Sequence, residues 1–204
     1  MDHKVIRLKR AFDLLIGIPL AILLIPLLLL ISLLIKLDSS GPVIYKQERL
    51  GWGGKKFTHL KFRTMITDAD HYLDKLLKDP QTQQEYVVHH KISHDPRVTR
   101  IGRFLRRYSL DELPQIWSVL TGEMSLVGPR AYQITEQPDM GEYRGLIFQA
   151  RPGMTGWWQV NGRHANTFEH RLQLDNYYLT HWSLGLDIYI LMKTIWVVIN
   201  TQGI

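Results

Sequence analysis

The run Leu14-Leu15-Ile16-Gly17-Ile18-Pro19-Leu20-Ala21-Ile22-Leu23-Leu24-Ile25-Pro26-Leu27-Leu28-Leu29-Leu30-Ile31-Ser32-Leu33-Leu34-Ile35 carries no formal charge and a single hydroxyl. As a helix rising about 1.5 Å per residue, it is long enough to cover a hydrocarbon core of roughly 30 Å. A cleaved signal peptide fits poorly, because the run is long and the polar sequence Asp38-Ser39-Ser40-Gly41 follows without a small-residue cleavage motif. A helix apolar on every side would need a larger interior than a chain of 204 residues supplies. The segment therefore reads as a membrane insert.

Its flanks bear on how it inserts. Lys4, Arg7, Lys9 and Arg10 precede it, and Lys36, Lys46, Arg49 and Lys55 follow, so a spanning helix would send one basic cluster outward against the positive-inside bias. Pro26 removes a backbone donor near the middle and favours a kink. The two halves, about 18 and 15 Å long, are each too short to cross alone. The expected shape is a re-entrant hairpin or sharply bent helix, broken near Pro26, that enters and leaves by the cytoplasmic face. A kinked spanning helix stays open as the alternative. Residues 1–37 then form a basic flank and membrane helix, and residues 38–204 one compact cytoplasmic domain.

Beyond the insert the texture is globular. Val43-Ile44-Tyr45 and Phe57-Thr58-His59-Leu60 read as short strands around the turn residues Gly51, Gly53 and Gly54. Residues 66–79 read as an amphipathic helix stopped by Pro80, and Leu184–Ile199, interrupted by Asp187 and Lys193, as an interfacial or core-packed helix. The fold class expected is α/β, or mostly α with short strands, carrying interfacial amphipathic helices. The mean hydropathy of −0.13 averages this polar region with the apolar insert. Twenty-five Lys and Arg against 19 Asp and Glu give a net charge of +6, which favours an anionic partner: nucleic acid, a membrane face or a phosphorylated substrate. The absence of Cys excludes thiol nucleophiles and zinc-thiolate sites.

The densest charge is Arg97, Arg100, Arg103, Arg106 and Arg107. Spacings of three place much of the series on one broad helix face. It serves as a solvated or headgroup-facing stripe, as an anion clamp built from paired guanidinium donors, or as a groove binder for nucleic acid, the last disfavoured by a membrane anchor. Ser109-Leu110-Asp111-Glu112-Leu113-Pro114-Gln115 follows. Ser109 and Glu112 have capping-box spacing, and Asp111 as N-cap would place Pro114 in the first turn. Ordinary capping explains such a pair of carboxylates. Their place beside five arginines equally suits a site for phosphate, a divalent cation and a nucleophile. Gly128-Pro129-Arg130 presents an arginine on a constrained turn, and Arg151–Arg163 combines turn residues with the adjacent Trp157 and Trp158. Asp175 and Asp187 suit caps or ion pairs, and His89-His90 lacks metal-ligand spacing.

These motifs, together with Lys9-Arg10-Ala11-Phe12-Asp13, Gln47-Glu48-Arg49 and Lys61-Phe62-Arg63-Thr64-Met65, resemble the bacterial sugar transferase family, the monotopic polyprenyl-phosphate phosphoglycosyl transferases. The resemblance covers nearly the whole chain, which looks like the minimal catalytic unit without the transmembrane bundle of larger members. It implies transfer of a sugar phosphate from a nucleoside diphosphate sugar, with a UDP-sugar as expected donor, to undecaprenyl phosphate, releasing UMP. It also implies Mg²⁺ and a covalent ping-pong route. Asp111 matches the family nucleophile, Glu112 its Mg²⁺-associated partner, and Arg106 and Arg130 its phosphate-facing positions. Asp175 and Asp187 match acidic residues near the site, one of which helps activate the lipid phosphate. The implied setting is the cytoplasmic face of the bacterial inner membrane, with monotopic attachment, no nucleic acid, and downstream glycan-assembly enzymes as partners in making exopolysaccharide, capsule or O-antigen.

Two positions depart from the family pattern. Ile25 precedes Pro26 where many members have Ser, so a hydroxyl able to bond a freed carbonyl is missing. Ala131 follows Arg130 where Pro is common. The competing reading is a non-catalytic membrane adaptor whose arginines bind anionic lipid or an assembly partner.

Overall fold

The computed structural model describes residues 3–89, 92, 95–161 and 167–200. Gly162 and Arg163, at the end of the Trp-rich motif, and His90 lie outside the described residues. The architecture is mostly helical with short strands.

The apolar run lies within one helix, α1 (His3–Asp38), long and apolar enough to cross a membrane. Helix structure continues through Pro19 and Pro26, so the hairpin with a chain reversal at Pro26 is not formed. A proline deletes one donor, whereas a reversal in this run would free several backbone groups with only one hydroxyl, Ser32, in the run to bond them. Ser32 Oγ bonds the Leu28 carbonyl one turn back.

One face of α1 is packed along its length, and both ends are tied to the same domain. Near the start, Arg10 donates to the carbonyls of Val119 and Leu120, and Asp13 Oδ1 accepts from Ser125 Oγ at 2.9 Å and the Leu126 amide at 3.0 Å. Near the finish, Ile31 and Ile35 pack with Phe62 and Leu105, and Asp38 Oδ2 accepts from the Ile101 amide at 3.1 Å. The opposite face leaves Leu15, Ile22, Leu23, Leu29, Leu30, Leu33 and Leu37 exposed. An apolar surface of that extent suits lipid, not water.

An antiparallel hairpin follows, β1 (Ile44–Leu50) and β2 (Lys56–Phe62), where the two expected strands lie. The helix expected over 66–79 is shorter, α2 (Ala69–Leu76), and Pro80 opens the next helix, α3 (Pro80–His89). Asp79 accepts from both the amide and the hydroxyl of Thr82, so it caps α3, and proline at a first helical position lacks only a donor that has no partner there.

Four of the five clustered arginines lie in α4 (Arg100–Arg107), capped by Thr99 Oγ1 on the Gly102 amide, and Arg97 precedes it. Gly102 permits α4 to lie against the preceding segment, since a Cβ there would fall 2.1 Å from the Thr64 carbonyl oxygen. Then come α5 (Gln115–Thr121), β3 (Ser125–Val127), α6 (Tyr143–Ile147), β4 (Gly153–Thr155), α7 (Trp157–Asn161), α8 (Phe168–Thr180) and α9 (Leu184–Asn200).

The main core joins α5, β3, α8 and α9 through Ile116, Val119, Leu126, Val127, Leu172, Tyr178 and Ile190. β3 and β4 pair in parallel at very close range. A Cβ on Gly153 would sit 2.1 Å from the Gly128 nitrogen, and one on Gly156 2.2 Å from the Gly128 oxygen. The glycines of the two turn-rich motifs are thus packed against each other, which fixes the turn carrying Arg130. α9 buries Asp187 and Ile190 but exposes Ile188, Met192, Ile195, Trp196 and Ile199, as an interfacial helix does.

Candidate active site

Ser109 ends α4 in a left-handed conformation, φ 55°, and the chain enters a 3₁₀ turn over Leu110–Glu112. The capping box expected from Ser109 and Glu112 is not formed: Ser109 makes no capping bond to the turn, and α5 starts later, behind Pro114. The reversal sets the turn against β2 and α4. Asp111 and Glu112 therefore face cationic side chains from those elements.

Lys61 of β2 donates to Glu112 Oε1 at 2.8 Å, and its ammonium lies 3.9 Å from Asp111 Oδ2. Arg106 alone of the α4 arginines turns inward, donating from Nε to Thr64 Oγ1 at 2.9 Å. Arg100, Arg103 and Arg107 are exposed, as a solvated or headgroup-facing stripe would be, and Arg97 is buried in a 2.6 Å pair with Asp95. Burial pushes the Asp111 carboxyl above its usual range, opposed by Lys61 and Arg106 and reinforced by Glu112. Asp111 is thus a desolvated carboxylate kept ionisable by two cations, the condition a carboxylate nucleophile needs.

A second group forms around the turn after β3. Asp175 of α8 is fully buried and accepts from the Arg130 amide at 3.0 Å and from the Tyr132 hydroxyl at 2.7 Å. Burial pushes its pKa up to about 6 against those hydrogen bonds and the charges of Arg130 and Arg171. The Arg130 and Arg171 guanidiniums both lie over the Trp158 ring, 5.3 and 4.6 Å from its centroid.

Arg49 and His59 link the two groups. Burial, then the charge of Arg130, pushes Arg49 down to about 10, and it remains bonded to Gln47 and to the Ala131 carbonyl. Burial, then Lys61 and Arg49, pushes the His59 imidazole down to about 3, so it is neutral at pH 7. Arginine, lysine and a neutral histidine around two carboxylates suit a multiply charged anion.

Asp187 is placed elsewhere. Its partners are Lys9 Nζ at 2.7 Å, the Tyr178 hydroxyl at 2.7 Å and Trp182 Nε1 at 3.2 Å. None of these is a partner of Asp111 or Asp175. Asp187 fastens α1 to α8 and α9, while Asp175 alone of the two acids stands beside Arg130.

Lys61, His59, Trp158 and Arg171 were not among the expected site residues. His59 and Lys61 stand two apart in β2, on one face, and Arg171 and Asp175 stand four apart on α8. Those spacings were the available signal.

The chain matches the bacterial sugar transferase family over residues 4–201. The chain belongs to that family. The UDP-galactose-lipid carrier transferase of Erwinia amylovora is 44% identical over 200 residues, covering 96% of this chain and 41% of that protein. The undecaprenyl-phosphate galactose phosphotransferase of Salmonella typhimurium is 41% identical, with 96% of this chain and 41% of that protein covered. The exopolysaccharide production protein ExoY of Sinorhizobium fredii is 40% identical, with 96% and 87% covered. The chain thus spans about two fifths of the length of the first two and most of the third.

The motif resemblance implies Mg²⁺ at this site. Among the described residues no group of three or more His, Asp and Glu is placed to hold one. Mg²⁺ commonly takes one or two carboxylates and completes its shell with water and substrate phosphate. Asp111 and Glu112, hard oxygen donors beside Lys61 and Arg106, fit that requirement.

Proposed function

We propose that this sugar transferase family member moves a sugar 1-phosphate from a UDP-sugar to undecaprenyl phosphate at the membrane surface, through a covalent intermediate on Asp111. The observation that carries the reading is a buried carboxylate, Asp111, flanked by Lys61 and Arg106 in a cationic surface. The family membership and the activities for which the relatives are named support the substrate classes.

An Asp111 carboxylate oxygen attacks the sugar-linked phosphorus. The bond from that phosphorus to the bridging oxygen breaks, and UMP leaves with the electron pair. The prenyl phosphate oxygen then attacks the same phosphorus, the aspartyl bond breaks, and Asp111 returns as a carboxylate with a prenyl diphosphate sugar as product. Carboxylate attack on an anionic diphosphate meets repulsion, and Lys61, Arg106 and Arg130 offset it. Asp111 and Glu112 would hold Mg²⁺, which neutralises phosphate charge when bound. Asp175, poised near pH 6 by burial, is the acid suited to exchange a proton with the arriving lipid phosphate.

The anchor fits a lipid acceptor. α1 is docked on the catalytic domain at both ends, so it lies with that domain at one membrane face, and the exposed apolar faces of α1 and α9 enter the lipid. The acceptor phosphate arrives at headgroup depth, where the site is held. The setting proposed is the cytoplasmic face of the inner membrane, the product feeding enzymes that assemble exopolysaccharide or another surface glycan.

The test is UMP release by the purified protein in lipid nanodiscs given a panel of UDP-sugars, undecaprenyl phosphate and Mg²⁺. Turnover in the wild type and its loss in Asp111→Asn are expected. Full turnover by Asp111→Asn would refute the nucleophile. A non-catalytic adaptor predicts binding without UMP release, and survival of cellular function after replacement of both Asp111 and Glu112.

A further inference from the structure

Nine buried side-chain polar atoms among the described residues lack a hydrogen-bond partner, and five belong to residues of one neighbourhood: Arg130 Nε, Trp158 Nε1, Gln159 Oε1, Arg171 Nε and Asp175 Oδ1. Unpaired buried polar groups are costly and rare, so five together mark a place built for something else. The charges agree. Arg130 and Arg171 are brought to one indole ring, where burial and then the Arg130 charge disfavour the charge of Arg171. The Glu136 carboxylate answers Arg171 only at 3.8 Å, and its other oxygen is bound by the Gln133 amide. A purely structural ion network would satisfy its guanidinium donors. This one converges cations and leaves donors unused.

We propose that Arg171 is a second substrate-binding arginine, paired with Arg130 across Trp158 to form a two-armed clamp for a phosphate oxyanion. Trp158 holds both guanidinium planes by cation-π contact, which orients their donors without neutralising them. Asp175 fixes the Arg130 backbone from behind through the amide bond at 3.0 Å. The oxyanion is the diphosphate of the donor or the phosphate of the lipid acceptor. The clamp rests on the transferase reading only for that choice.

Binding of inorganic pyrophosphate, measured by calorimetry on the nanodisc-embedded full chain, reads the clamp without any reaction. Arg171→Gln is expected to weaken it about tenfold or more, as loss of a charge-assisted contact does, and Arg171→Lys to restore part of it. Trp158→Leu is expected to weaken it with both arginines still present. Circular dichroism and Tm report whether each variant folds. Should Arg171→Gln fail to fold, Arg171→Lys and Trp158→Leu decide, and wild-type affinity in both overturns the clamp. In steady state, Arg171→Gln is expected to raise one KM far more than it lowers kcat. A raised donor KM assigns the clamp to the diphosphate, and a raised acceptor KM assigns it to the lipid phosphate. Unchanged pyrophosphate affinity and unchanged KM values, with the wild type turning over, overturn the clamp and leave the transferase intact. Arg171-dependent pyrophosphate binding by a wild type that turns over no donor sinks the transferase and keeps the clamp.

Discussion

Lys61 Nζ lies 2.8 Å from Glu112 Oε1, joining residues 51 positions apart. The contact ties the hairpin to the turn that carries Asp111, and it sets the charge beside that carboxylate. Lys61 lowers the Asp111 pKa against the burial that raises it. Lys61→Met removes the opposing charge, so Asp111 becomes harder to ionise. The acidic limb of the kcat/KM profile is expected to move to higher pH, with a loss of about tenfold or more at pH 7. A pH series of UMP release checks both, and an unmoved limb would detach Lys61 from the nucleophile.

Asp175 gives a pH dependence of stability. Its folded pKa is near 6, above the ordinary carboxylate value of 3.8, so the folded chain holds this proton more tightly than the unfolded chain. The stabilisation is fully present below about pH 4 and is lost as pH rises through about 6, a swing on the order of 3 kcal/mol. Asp175→Asn cannot titrate. Urea melts of both proteins without substrate, between pH 4 and 7, are expected to show the wild type losing stability relative to the variant.

The pair Lys9 and Asp187 is buried on both sides. Breaking such a pair leaves an uncompensated charge and costs about 3–5 kcal/mol. Lys9→Met and Asp187→Leu are each expected to lower Tm substantially, and the double variant by much less than their sum. Calorimetry of the four proteins closes the cycle.

Two glycines predict opposite outcomes. Gly102→Ala drives a methyl into the Thr64 carbonyl, 2.1 Å away, and Thr64 is the partner of Arg106. A cost of about 3 kcal/mol or more is expected, together with reduced turnover. Gly145→Ala, in α6, meets nothing within 4 Å and is expected to be neutral or to stabilise by about 0.5–1 kcal/mol. Thermal melts of both variants distinguish a packed glycine from a free one.

The elements that could be read from the sequence are those with a strong local cause. The apolar run, the two strands around Gly51–Gly54 and the helix at Leu184 carry their signal in neighbouring residues. The behaviour of Pro26 did not follow from its type alone, because one missing donor matters less than the several groups a reversal would free. The capping role of Ser109 failed because its left-handed backbone turns the chain between α4 and the 3₁₀ turn, and α5 starts only behind Pro114. Asp111, Glu112, Arg106 and Arg130 could be picked out through motif resemblance. Asp175 and Asp187 looked alike there, and only burial and partners distinguish the acid beside Arg130 from the acid that holds Lys9. Lys61, Trp158 and Arg171 acquire meaning from contacts across long stretches of chain, which no local window contains.

The docking of α1 has a consequence for anyone handling this protein. A helix that contributes Asp13 to the β3 backbone, Ile31 and Ile35 to a core and Asp38 to the start of α4 is a wall of the domain as well as its apolar flank. Cutting it away to obtain a soluble fragment would open that wall and expose Phe62 and Leu105. Detergent choice therefore bears on the shape of the domain as much as on solubility, and solubilisation screens for it are best scored by a folding readout such as Tm instead of by yield.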